Sequence, residues 1–488
     1  MTVRIPAPHR ISALRAPLAP RVLHAPRVVL ARLAVLATLL ASCVCGAGLF
    51  ATPASAAEAG VNLNTLEPSG IAQVKALGAH WVRVFATWPD LEPSPGVHSD
   101  FWFPRYERLF AALPRGTRVI IDFVGTPSWE NDSAVPNAPP ANPADYAAAL
   151  HYVAERWAGH VAAYEIWNEE DATAWWAGAP EPAAYTRLLQ AAYPAVKSAD
   201  PAAKVVLGGL TGNDYNFLQG VYQAGGKGYF DAVGVHTDTA CDINSPYLVL
   251  RDSDERLDPD SFLGYREVHA TELANGDDVP IWMTEMSWRT TAAECAEGVF
   301  AGLKPEGVSE AQQSTYLSQS YHCLAQNSYV QLGLWFPIID EGTIDSGLLH
   351  SNATHKASYA AMRAYLEHGD RVKGACGDFA GPKIEVAEPT RGERYSGHLW
   401  IKVRAVDSQG IERIRLLYDG HLIRNFDPYG EMHRYPRVLF AEIHWSGARH
   451  ISFGRHLLEI LAYDKLRNVS RAYVSIVHLP ESSSHHHH

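Results

Sequence analysis

Charge is scarce in this chain of 488 residues: Asp, Glu, Lys and Arg together make up 19% of it. Basic residues are the scarcer sign, at 41 against 53 acids, and six of the Arg fall in the first 57 residues, where there is no Lys and no acid. The remainder therefore holds 35 bases against 53 acids. A nucleic-acid surface needs clustered Lys and Arg to displace counterions from phosphates, so this balance argues against one. Cysteine is rare too, with six residues at positions 43, 45, 241, 295, 323 and 376, and none has metal-site spacing. There is no H-E-x-x-H, no strand-end H-x-H pair and no glycine-rich turn after the first strand, which removes the common metallohydrolase and dinucleotide signatures. No cofactor is expected. What is present is 47% hydrophobic and 10% aromatic, including 13 Trp, and such a chain packs rather than remaining disordered.

The first 57 residues have the order of an export signal: an Arg-bearing start, the apolar run Leu33 to Phe50, then small residues ending in Ala54-Ser55-Ala56. The alternative is a retained membrane anchor, for which the run is short against a span of ~20 residues. Leu40-Ala41-Ser42-Cys43 also resembles a bacterial lipobox, which would anchor the protein by lipid at Cys43, although apolar sequence continues beyond it. A secreted, monomeric protein without a membrane span is the expectation. The four closing His look like a tag or tail, residues 482–488.

Between residues 58 and 372, eight short apolar runs alternate with amphipathic stretches. The runs are Ala59–Asn64, Trp81–Ala86, Arg118–Gly125, Val161–Asn168, Lys204–Leu210, Phe230–His236, Pro280–Glu285 and Leu332–Pro337. Apolar residues return every three or four positions in Phe103–Leu113, Pro143–Ala158, Pro182–Ser198, Ser261–Asn275, Ser309–Asn327 and Lys356–His368. Near-continuous apolar strands alternating with helices form a covered parallel sheet, and eight units predict a (β/α)₈ barrel of the α/β class. Residues 373–381 form a Gly- and Pro-containing linker, and 382–481 read as a small all-β sandwich of about seven strands.

In such a barrel the chemistry sits where strands end. Glu169 ends the fourth run and Glu285 the seventh, so their side chains converge across the mouth. Two carboxylates facing each other meet the need of glycosidic bond cleavage: one protonates the leaving oxygen and the other attacks or activates water. Trp88, Trp129, Trp175, Trp176, Trp288 and Trp335 would offer indole faces to a sugar. Singly, a strand-end Glu is more often solvated and a Trp more often core; their co-occurrence carries the reading.

Trp167-Asn168-Glu169, Thr284-Glu285, Val82-Arg83-Val84, Thr126-Pro127-Ser128-Trp129, Leu91-Glu92-Pro93, His236 and Trp335 make residues 59–337 resemble the clan A glycoside hydrolases, and within them families 39 and 5. The resemblance implies a retaining mechanism with Glu169 as general acid and base, Glu285 as nucleophile, Asn168 on the neighbouring hydroxyl, Arg83 holding Glu285 charged, and His236 and Trp335 lining the cleaved subsite. Trp129, Trp175 and Trp288 are further candidate sugar contacts. The sequence departs from the pattern at Glu170, where Pro is common, and at His236-Thr237-Asp238, where a Tyr often follows.

A glycan is the expected partner, with endo-action on a β-linked polysaccharide or oligosaccharide. The alternatives are an exo-acting, β-xylosidase-like enzyme and a barrel that binds carbohydrate without cleaving it. Cys241 and Cys295 follow the sixth and seventh strands on adjacent loops and would pair; Cys323 and Cys376 are left open. The C-terminal runs around Val403–Asp407, Leu417–Gly420 and Gly454–Asp464 resemble bacterial immunoglobulin-like modules.

Overall fold

In the computed structural model the described residues are 57–480, apart from 134, 136, 238–243, 253, 291–306, 343 and 430–432. Strands β1 (Glu58–Asn62), β2 (Trp81–Thr87), β3 (Arg118–Val124), β4 (Ala163–Asn168), β5 (Lys204–Leu210), β6 (Ala232–His236), β7 (Ile281–Met286) and β8 (Val330–Trp335) close a barrel in chain order. Every pairing is parallel, and β1 seals against β8. The surrounding helices are α1 (Pro68–Leu77), α2 (Phe103–Ala112), α3 (Pro143–Arg156), α4 (Pro182–Ala199), α5 (Tyr215–Gln223), α6 (Tyr265–Ala274), α7 (Glu310–Ala325) and α8 (Ala357–His368). Covering both faces of the strands explains their apolar runs. Trp81, Ile120, Val206 and Trp282 plug the barrel interior, while a larger core fills the layer between strands and helices.

Local chemistry sets the helix starts. Pro occupies the first turn of α1, α2, α3 and α4, where a missing N–H costs nothing. Ser309 and Gln312 form a reciprocal capping box on α7. Two helices, α1 and α5, lie where the sequence pattern predicts none. Both are short, and α5 contains Gly220, a poor helix former. It is held by Asp214, whose side chain accepts from the N–H groups of Asn216 and Phe217, each at 2.9 Å, and by Gly220 packing on Pro182 of α4. Tertiary contact there outweighs propensity.

The C-terminal region is all-β: β9 (Lys383–Glu388), β10 (Arg394–Tyr395), β11 (Leu399–Val406), β12 (Ile411–Tyr418), β13 (His421–Phe426), β14 (Val438–Trp445), β15 (Gly454–Asp464) and β16 (Val469–His478). They form a five-stranded sheet, β10-β16-β15-β12-β13, and a three-stranded one, β14-β11-β9. Ile401 and Val403 of one sheet share a second core with Ile414, Leu416, Leu458 and Ile460 of the other. The extra strand beyond the seven expected is the two-residue β10, too short to leave an alternating pattern. The described part of the loop after β6 grips this region: Glu255 pairs with Arg413 at 2.8 Å, and Arg251 donates to Asn468 at 3.1 Å.

Cys323 of α7 is disulfide-bonded to Cys376, 53 residues further on. The expected Cys241–Cys295 pair lies outside the described residues. Closing a loop of that size removes about 4 kcal/mol of unfolded-state entropy in the chain-entropy model. Reduction of the protein, or Cys376→Ser, is expected to lower its stability by that order in denaturant unfolding.

Candidate active site

Arg83 on β2 is the pivot. It points inward among polar groups from four other strands, and its side chain is fully buried. Its Nε donates to Glu165 on β4. Nη1 donates to Asn62 on β1 at 3.0 Å and to Glu285 on β7 at 2.6 Å. Nη2 donates to Asp122 on β3 and to Asn168 on β4, both at 2.8 Å. All the donors of the guanidinium fork are thus committed, which fixes its plane and that of each partner. Thr284 donates to Glu165 at 2.8 Å, and the Asn62 amide donates to the Thr284 carbonyl at 2.8 Å, tying β1, β4 and β7 together around the same charge.

At the end of β4 the backbone turns left-handed twice, at Trp167 (φ 71°) and Glu169 (φ 47°). For residues with a Cβ, such conformations are costly and collect at functional sites. Trp167 is pinned by its indole N–H on the Trp175 carbonyl at 2.7 Å, and the Glu169 carbonyl accepts from the N–H of Ala172 at 2.9 Å. Asn168 is thereby directed to Arg83, while Glu169 Oε1 lies 2.8 Å from Nδ1 of His236 at the end of β6. The other ring nitrogen, Nε2, is 3.9 Å from Glu285 Oε1. A Cβ on Gly209 of β5 would overlap the His236 ring, so glycine is required for the histidine to sit between the two carboxyls. One oxygen of Glu169 and one of Glu285 lie within 4.8 Å of each other.

Burial governs the titration of this site. It pushes Glu285 above the ordinary carboxylate range, against the pull of His236 and Arg83. Arg83, expected from the sequence to hold Glu285 charged, does lower its carboxyl, and burial is the larger, opposing effect. Asp122 is raised well above its usual value, again chiefly by burial. Burial lowers His236, against the pull of Glu285.

Glu170 is fully buried, and neither carboxyl oxygen has a hydrogen-bond partner; a Cβ on Gly208 would overlap it. Burial first, then Asp171, raises its carboxyl well above the usual range. Raised pKa in the folded state means stability that is present at low pH and lost as pH climbs through the folded value. Glu170→Gln is expected to resist this loss. Its stability relative to the parent should improve by up to about 1.4 kcal/mol per pH unit as pH rises from the ordinary carboxylate range toward the raised folded value, as followed by thermal melts.

The carboxyl pair opens into a cleft of about 1210 Å³. Its walls include Phe85 and Trp175, whose rings stack at 5.8 Å, together with Phe101, Trp102 and Phe336. Of the sequence-selected residues, Arg83, Asn168, Glu169, Trp175 and Glu285 line this cleft, and His236 lies buried between the two glutamates. Five of the six indoles singled out do not belong to it, Trp88 and Trp176 among them, both buried. Trp288 and Trp335 are fully buried, packed 6.2 Å apart in the core, with their N–H groups on the carbonyls of Asn244 and Ser346. Trp129 packs edge-on against Trp88 and donates to the Glu92 carbonyl at 3.0 Å. The aromatic wall instead comes from Phe85, Phe101 and Trp102, which the sequence reading passed over. Glu165 and Asn62 were also missed. Glu165 left a signal, since a carboxylate inside the apolar run Ala163–Trp167 needs a buried counter-charge.

A family model described as cellulase (glycosyl hydrolase family 5) matches residues 51–231. Among solved structures, a family 39 glycoside hydrolase from the gut symbiont Bacteroides cellulosilyticus WH2 is similar at 17% identity, over 80% of this chain and 79% of that one, with a TM-score of 0.51. A family 39 β-xylosidase from Caulobacter crescentus matches at 16% identity over 74% and 82% of the two chains, TM-score 0.48. Xylanase 10B from Thermotoga maritima matches at 15% identity over 64% and 95%, TM-score 0.44. No curated protein matches. The family model covers residues 51–231 of the barrel, and the likeness to the family 39 structure is one of fold. Among the described residues no helix is long and apolar enough to cross a membrane.

Proposed function

We propose that the protein is a secreted, retaining glycoside hydrolase that cleaves internal bonds of a β-linked glycan, with residues 1–57 serving as its export signal. The observation that carries the mechanism is the approach of Glu169 and Glu285 to within 4.8 Å. Retaining enzymes hold their carboxyls ~5–5.5 Å apart, whereas inverting ones need ~6.5–9.5 Å to admit water between them. In this reading Glu285, oriented by Arg83, attacks the anomeric carbon. Glu169 gives its proton to the departing oxygen and then, as a carboxylate, takes one from the incoming water. His236 steadies Glu169 through the 2.8 Å contact. The three side chains are also close enough to surround a divalent cation, but Arg83 already supplies the positive charge at Glu285. Endo-action is supported by the volume and aromatic lining of the cleft.

Glu169→Gln separates the two roles. On aryl glycosides with good leaving groups it should retain most of the first step. It should lose about 10²–10⁴-fold on substrates that need a proton. Azide should restore turnover and yield a glycosyl azide. Equal loss on both substrate classes without azide rescue would remove Glu169 as the acid and base.

A further inference from the structure

Arg105, on the first turn of α2, lines the same cleft as the two glutamates. Its guanidinium carbon lies 3.7 Å from the centre of the Phe101 ring and 5.9 Å from that of Trp102. The two rings meet edge to face at 5.2 Å, and Phe101 is 56% exposed. Its backbone N–H donates to the Trp102 carbonyl at 2.9 Å, but among the described residues the Arg105 guanidinium takes part in no hydrogen bond or ion pair. That sets it apart from Arg83, whose donors are all committed. It also differs from acids on the cleft wall: Asp90 accepts from Thr87 at 2.6 Å, and Glu341 accepts from Asn64 at 2.7 Å. The cleft thus contains a cation oriented by an aromatic ring, without a protein anion beside it, next to an exposed apolar ring.

We propose that Arg105, Phe101 and Trp102 form a subsite for a carboxylate-bearing sugar, so that the glycan cleaved is an acidic one carrying uronic acid residues. This rests on the glycosidase reading above and names its substrate class. Stacking on Phe101 fixes the guanidinium plane before ligand arrives, so little side-chain freedom is lost on binding. The planar fork matches a carboxylate with two parallel N–H···O bonds, and charge-assisted pairs of this kind are stronger than the neutral bonds a hydroxyl would make. The exposed Phe101 ring suits the C–H face of the same sugar. Against a net charge of −12 on the chain, Arg105 is a local attraction for one anionic unit rather than part of a broad polyanion surface.

The test compares a uronate-bearing β-linked oligosaccharide with the same oligosaccharide after chemical reduction of its carboxyl groups. For the parent enzyme, kcat/KM is expected to favour the uronate form by about tenfold or more at low salt, with the preference shrinking as salt rises. Arg105→Gln should bring the ratio of the two substrates close to one, and Arg105→Lys should restore part of it. A parent ratio near one, or a ratio that Arg105→Gln leaves unchanged, overturns the proposal. Turnover of aryl glycosides is measured alongside. If they are cleaved and no carboxylate preference appears, only the subsite is lost; if no glycoside of any kind is cleaved, the glycosidase reading fails and the subsite with it.

Discussion

Glu285→Gln is expected to abolish turnover, lowering kcat/KM on aryl glycosides by about 10⁴-fold or more while leaving the fold intact. The magnitude follows from the role: removal of a covalent nucleophile leaves only the binding and electrostatic contributions of the remaining site. Gln keeps the size of the side chain and can still accept from Arg83 Nη1, which lies 2.6 Å from the carboxylate in the parent. The variant should therefore melt within a few degrees of the parent. A loss of activity accompanied by collapse of the barrel would point to structure instead of chemistry. Activity within tenfold of the parent would remove Glu285 as nucleophile.

Arg83→Met is expected to be the most destabilising single change in the barrel. Removing one member of a buried ion cluster strands the others, at a cost of about 3–5 kcal/mol. Here the stranded groups are Asp122 and Glu165, both with fully buried side chains, together with Glu285 at the cleft. The pH dependence gives the signature. Arg83 lowers the pKa of both Asp122 and Glu285, so its loss raises them further. Carboxyls whose folded pKa is raised support the fold while protonated and work against it as pH rises. The deficit of the variant should thus be smallest near pH 4–5 and grow toward neutrality, as followed by denaturant unfolding across that range. A deficit independent of pH would mean that Met fails by packing rather than by stranding charge.

How far the sequence carried the argument depends on what kind of force places a residue. The eight strands were legible because parallel strands covered on both faces must be continuously apolar, and the catalytic candidates because polar residues at the ends of such runs have few structural uses. Packing depth was not legible. Trp288 and Trp335 stand at strand ends, just where a sugar-binding indole would, yet each rotates into the core and satisfies its N–H on a carbonyl. Phe101 and Trp102 went unnoticed because they precede α2, far in sequence from any strand end, and only the folding of that loop across the mouth brings them to the cleft. The full set of groups around Glu285 escaped as well. Sequence can pair it with Arg83, but not count the further carboxyls, Asp122 and Glu165, that claim the same cation.

The central claim is that Glu285 forms a glycosyl-enzyme bond while Glu169 serves as acid and base. It is tested most directly by incubating the enzyme with an activated 2-deoxy-2-fluoro glycoside of a sugar that it turns over, followed by peptide mass spectrometry. The expected result is time-dependent inactivation with one sugar attached to the peptide that contains Glu285. Attachment elsewhere, or continued turnover with no covalent adduct, would contradict it.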